Sequence, residues 1–237
     1  MSSWETPATS AGADAVVQIS SESAQRAFMS RVYRWMFAGL AITGSVALYT
    51  ASTPALLQPV SQFIFPLLIG ELVLVFALSW LAPRIGGALA AALFVLYAAL
   101  NGLTFSMLFV VYQLGSIGEA FLLTGGAFAA LSIYATATKK DLSAWRTFLF
   151  IGLIGVTLAG IVQVFWQNQG FSFVWSCACV VVFAGLTAYD TQKLRQLHAT
   201  SGYRSTASLS VNGALILYLD FVNLFLALLR LFGRKRD

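Results

Sequence analysis

From residue 36 onward the chain is a succession of apolar runs parted by short polar breaks, at roughly 36–52, 63–82, 87–112, 117–138, 147–166, 171–192 and 209–231. Each is close to or above the ~20 residues that a helix needs to cross a bilayer core at 1.5 Å rise per residue. The runs are continuous rather than alternating, and a backbone in lipid must satisfy its own amides, so helices are favoured over a barrel. The pattern predicts an all-α polytopic membrane protein built as a seven-transmembrane-helix bundle. The connections are too short for a second domain. Residues 1–25 read as a flexible polar N-terminal tail, 26–233 as the transmembrane domain and 234–237 as a basic C-terminal tail. Gly86-Gly87-Ala88 and Gly125-Gly126-Ala127 are expected to let helix backbones approach closely.

Composition strengthens this reading, because 59% of residues are hydrophobic and 10% charged, against roughly 45–50% and about 25% in soluble domains. The net charge of +5 comes from helix flanks. Arg26, Arg31 and Arg34 precede the first run, Arg84 follows the second, Lys139, Lys140 and Arg146 follow the fourth, and Lys193, Arg195 and Arg204 follow the sixth. The connections after the first, third and fifth runs carry no basic residue. The positive-inside rule therefore puts the N-terminus and the even-numbered connections in the cytoplasm. Arg230, Arg234, Lys235 and Arg236 conflict with it if the last run crosses fully, and the alternative is a re-entrant last helix. The run is long enough to span, which favours the full crossing. Anionic headgroups suffice as the partner of these charges, and the tail is too short to argue for nucleic acid.

Few residues offer chemistry. Cys177 and Cys179 point in different directions on a helix and read as small core residues. His198 is the only histidine and stands in a polar loop, so no histidine metal site or catalytic triad is expected. No phosphate loop, zinc spacing or dinucleotide fingerprint occurs, so no organic cofactor is implied. The first 25 residues fit neither a signal peptide nor a transit peptide, which points to a bacterial plasma membrane.

The acids inside apolar runs stand apart. Asp220 interrupts the Leu-rich last run, with Asn223 on the same face. Asp190 closes the sixth run, and Glu71 lies inside the second. A charge at a helix centre costs on the order of 3 kcal/mol, so such acids normally face a bundle interior or water cavity and mark a path or relay. Glu71 has two readings, a member of the path or a neutral interhelical hydrogen-bonder. With the sixth helix ending near Leu197 and the seventh beginning near Val211, Asp190 and Asp220 lie about 10 and 14 Å from the same side. Helices joined by a modest loop are usually adjacent, so the two carboxyls are expected to meet. Two acids in contact cannot both ionise cheaply, and the pair holds a shared proton. Ionised, the same oxygens are hard ligands suited to Ca²⁺, so protons and calcium compete for Asp190 and Asp220.

Gly213-Ala214-Leu215-Ile216-Leu217-Tyr218-Leu219-Asp220-Phe221-Val222-Asn223-Leu224-Phe225 resembles the closing signature of the transmembrane Bax inhibitor motif family. Phe28-Met29-Ser30-Arg31-Val32-Tyr33, Asn101-Gly102-Leu103-Thr104, Lys139-Lys140-Asp141-Leu142-Ser143 and Tyr189-Asp190-Thr191-Gln192 resemble its other motifs, so the likeness covers about residues 26–233. The resemblance implies seven helices with the last one central, acting as a pH-sensitive Ca²⁺ leak in which Asp190 and Asp220 form the sensing pair. Some bacterial relatives carry an arginine at the position of Ala82 that contacts the aspartates. Arg84, beyond Pro83, is the nearest substitute here, and Glu71 matches a glutamate of some relatives. Supporting positions are thus Glu71, Arg84 and Asn223.

Two other classes compete with this reading. Intramembrane aspartyl proteases also place aspartates on a sixth and a seventh helix, but Leu217-Tyr218-Leu219-Asp220 puts bulky residues where a substrate backbone needs room, so no enzymatic activity is expected. A regulatory role, in which the bundle binds and restrains another membrane protein such as a protease or cell-death factor, is the alternative that the resemblance also implies.

Overall fold

The structure, a computed structural model, describes residues 8–166, 168–197 and 205–236; of residues 8–21 and Leu197 only the backbone is described. His198 and Arg204 lie outside the described residues. The elements are α1 (Ala8–Ser52), α2 (Pro54–Gln62), α3 (Ile64–Leu81), α4 (Gly87–Phe105), α5 (Leu108–Val111), α6 (Leu114–Ala137), α7 (Arg146–Phe165), α8 (Gln169–Leu197) and α9 (Thr206–Phe232). A 3₁₀ turn over Leu142–Trp145 leads into α7. Among the described residues seven helices are long and apolar enough to cross a membrane, and the molecule is an all-α polytopic membrane protein. In chain order the spans are Glu22–Ser52, Ile64–Leu81, Gly87–Val111, Leu114–Ala137, Leu142–Phe165, Gln169–Gln196 and Thr206–Phe232.

Local chemistry sets the helix ends. Ser205 Oγ accepts the Ser208 N–H at 3.1 Å and caps α9, supplying one of the acceptors that a helix start lacks. The last helix therefore begins at Thr206, earlier than its apolar run suggests, because Thr206, Ala207 and Ser208 are capping and first-turn residues rather than lipid-facing ones. Pro83 follows the end of α3, where a proline cannot continue the backbone ladder. Pro54 opens α2 at a position where its missing N–H is harmless. This nine-residue helix lies in the first connection and is too short to show as a span. Helix α1 begins at Ala8, so residues 8–25, expected as a polar tail, continue the first span as helix.

The last span is the centre of the bundle. It is 61% buried, against 11–33% for the other six, and packs against the first, third, fourth and sixth spans. Phe28, Val32, Met36, Phe94, Leu215, Leu217 and Tyr218 are fully or almost fully buried around it. The second and fifth spans are peripheral, at 11% burial each. A Cβ on Gly102 would lie 2.8 Å from the Thr43 carbonyl oxygen, so only glycine lets the first and third spans approach this closely. Gly87 meets Ala207 across the bundle in the same way, at 2.5 Å. Gly125 and Gly126, expected in the same role, have nothing within 4 Å of their added Cβ positions. They face away from the packed interior, because the fourth span presents its buried residues Ala120, Thr124, Phe128 and Ser132 instead.

Polar contacts sort the connections onto two faces. Gln25 Nε2 donates to the Arg195 carbonyl at 2.7 Å, Arg195 donates to the Thr136 carbonyl, and Gln192 bridges Lys140 and Leu142. Ser208 Oγ donates to the Ala82 carbonyl. The start of the first span and the connections after the second, fourth and sixth spans thus share one face, which carries most of the basic residues. On the other face the C-terminal tail pairs with the connection after the third span. Gln113 N–H donates to the Arg234 carbonyl at 3.0 Å, Arg236 N–H to the Val111 carbonyl at 2.9 Å, and Tyr112 and Lys235 form an antiparallel bridge. Arg236 also reaches the Phe109 carbonyl. The last helix therefore crosses the full depth of the bundle, and its basic tail is held by backbone pairing on the less basic face.

Candidate functional site

Asp190 and Asp220 stand on the sixth and seventh spans, α8 and α9, which pack on one another. Asp220 is 5% exposed and lies within electrostatic range of Asp190. Its Oδ2 is buried with no hydrogen-bond partner among the described residues. A buried carboxylate oxygen without a donor is costly unless the group is protonated or serves an ion. Thr191 Oγ1, beside Asp190, is likewise buried and unpartnered among the described residues.

Asp190 is half-buried and borders a crevice of about 360 Å³ between the fifth and sixth spans, with Arg146, Lys193, Phe150, Leu153 and Leu186 also in its walls. Lys193 is the cation nearest in effect to Asp190, and its Nζ stands 5.6 Å from the centre of the Tyr189 ring. One acid of the pair thus faces a crevice and the other is sealed.

Toward the other face the chain beyond Asp220 becomes aromatic. Phe121 packs edge to face with both Phe221 and Phe225, and Phe128 packs edge to face with Phe221. They adjoin an apolar cavity of about 90 Å³ that reaches Leu40, Thr43 and Phe105. Its walls are almost wholly apolar, a lining that offers a hydrated ion no replacement for its water.

The other candidate residues fall elsewhere. Glu71 is buried and accepts a short hydrogen bond from Thr104 on the third span, so of its two readings the geometry realises the interhelical bond. It belongs to a second polar cluster, where Thr43 Oγ1 and Tyr218 OH are 2.8 Å apart and Asn101 donates to the Tyr97 carbonyl. Arg84 lies over the outward-facing Trp80 ring at 4.3 Å and donates to the Trp80 carbonyl. Ala82 itself is buried, and its carbonyl takes the Ser208 hydroxyl. Asn223 donates to Leu219 of its own helix at 2.8 Å. Cys177 and Cys179 are free thiols, the second buried. Among the described residues no three His, Cys, Asp or Glu side chains gather as a metal site. Thr43, Thr104, Tyr218 and the crevice cations were missed from sequence; the signal was hydroxyl residues recurring inside apolar runs.

The sequence profile described as inhibitor of apoptosis-promoting Bax1 matches residues 25–237. The chain belongs to the Bax inhibitor family. It is 41% identical over 229 residues to the inner membrane protein YbhL of Escherichia coli K12, covering 94% of this chain and 97% of that one. An uncharacterized protein of Deinococcus radiodurans is 46% identical over 214 residues, covering 90% and 92%. One of Borreliella burgdorferi is 35% identical over 215 residues, covering 89% and 93%. The chain is thus a bacterial-type Bax inhibitor family protein, and each of these relatives covers about nine tenths of it or more.

Proposed function

We propose that this Bax inhibitor family protein is a pH-sensitive Ca²⁺ leak channel of the bacterial plasma membrane, with its N-terminus in the cytoplasm and Asp190 and Asp220 as the sensor. The observation that carries this reading is the buried, unpartnered Asp220 oxygen within range of a second carboxyl that faces a crevice. Two carboxyls so placed cannot both ionise cheaply, and one shared proton keeps them together. Loss of that proton sets two like charges against each other at the packing of the sixth and seventh spans. Separation there loosens the central helix on which the aromatic constriction is built. The separated carboxylates attract Ca²⁺ but supply too few oxygens for a resident site, since this ion takes six to eight. That suits a step on a path rather than storage.

The test is Ca²⁺ efflux from liposomes holding the purified protein. Leak is expected to be greater at pH 8 than at pH 6. Leak equal to that of empty liposomes across this range, with the protein folded, overturns the proposal.

A second reading, restraint of another membrane protein, is favoured by one observation. Gly125, Ala129 and Ser132 line an open groove between the first and fourth spans, a small-residue surface on which a partner helix can pack. Crosslinking from Gly125→Cys in native membranes to a second protein would support it.

A further inference from the structure

The two cations beside Asp190 take no part in sensing as derived above, yet they stand over an apolar floor. Arg146 opens the fifth helix and Lys193 lies near the end of the sixth, both on the basic face. Below them Phe150, Leu153 and Leu186 run along the crevice toward the membrane interior, and Phe150 is largely exposed to lipid. Among the described residues no ion pair engages either cation. With Asp190 ionised, the crevice still holds two positive charges against one negative. A guanidinium matches a phosphate with two parallel donors, and an ammonium adds a second point of charge. The other basic depression, lined by Arg31, Arg34, Trp35 and Ala38, belongs to a single helix and has no such floor.

We infer that this crevice binds one anionic phospholipid, its phosphate on Arg146 and Lys193 and an acyl chain along Phe150, Leu153 and Leu186. Free phosphate would gain nothing from the floor, and a zwitterionic lipid would gain little from the net charge. The lipid fills a gap beside a peripheral helix that packs on the sixth span, so it extends the wall that holds Asp190. Binding is read without ion flux and therefore stands or falls apart from the leak.

The experiment is native mass spectrometry of the full-length protein mixed with phosphatidylglycerol or with phosphatidylcholine of the same chains. One phosphatidylglycerol is expected to be retained in preference by about tenfold or more, since each basic residue near an anionic headgroup contributes on the order of tenfold or less. Arg146→Gln with Lys193→Gln should abolish the preference, Arg146→Lys with Lys193→Arg should keep most of it, and Arg31→Gln with Arg34→Gln should leave it intact. Leu186→Trp fills the floor with the charges in place and should also lose the lipid. Equal retention of the two lipids by the wild type, or an unchanged preference in either the double glutamine variant or Leu186→Trp, overturns the inference.

Discussion

Two buried acids of this bundle have opposite surroundings. Glu71 of the second span receives the Thr104 hydroxyl and sits in a cluster whose other members, Thr43 with Tyr218 and Asn101 with Tyr97, are also paired. Asp220 of the last span has an oxygen with no donor among the described residues and a second carboxyl within electrostatic range. The two acids were alike as letters inside apolar runs; their partners separate them. A satisfied polar group fixes how helices pack, whereas an unsatisfied one beside a like charge stores a preference for another state. Under the proposed function, packing falls to the Glu71 cluster and switching to the aspartates.

The largest effect should come from the aspartates. A one-proton switch changes by up to about tenfold per pH unit, and Asp220→Asn or Asp190→Asn should flatten that dependence of Ca²⁺ leak, with the double variant adding little. Two independent, additive shifts in the pH midpoint would mean that the groups do not touch. Next in size is Phe225→Ala, which enlarges the apolar cavity. It should destabilise the folded protein by about 3 kcal/mol and raise leak at acid pH, read by thermal unfolding in detergent and by liposome efflux.

Thr104→Val tests the other side of the comparison. Removing the donor of Glu71 should lower stability by about 1 kcal/mol while the pH midpoint of the leak stays put, and a moved midpoint would join the two clusters into one device. The smallest effect belongs to Asp141, outside the spans, where the Ser143 N–H at 2.9 Å holds the carboxyl below its usual range. A depressed value contributes stability above the unfolded value of 3.8 that is lost as pH falls through the folded one. Asp141→Asn should therefore change unfolding slightly at neutral pH and not at all in strong acid.

The spans were legible because a bilayer demands one long apolar run per crossing, and the sides of the connections because basic residues mark one face. That Asp190 and Asp220 stand within electrostatic range of each other was legible from their depth. What sequence left open was decided by partners distant in the chain. Arg84 goes to Trp80, a neighbour one turn away, and no local pattern says which way such a side chain turns. Gly125 and Gly126 look like Gly87 as letters, yet only Gly87 meets another helix. The basic tail conflicted with a full seventh crossing, because its pairing with residues 111–113 uses backbone groups that every residue carries.

The last helix is both the core of the bundle and the seventh of its seven described spans to be synthesised. During translation six apolar helices reach the membrane before the helix that four of them pack against exists. Until α9 arrives, Phe94, Met36 and their neighbours have lipid or one another as company, and the tail that pairs with residues 109–116 has not left the ribosome. Assembly of this protein is consequently a closing event rather than a gradual accretion, and a chain halted before Thr206 would be a set of helices without a centre, a substrate for quality control rather than a smaller bundle.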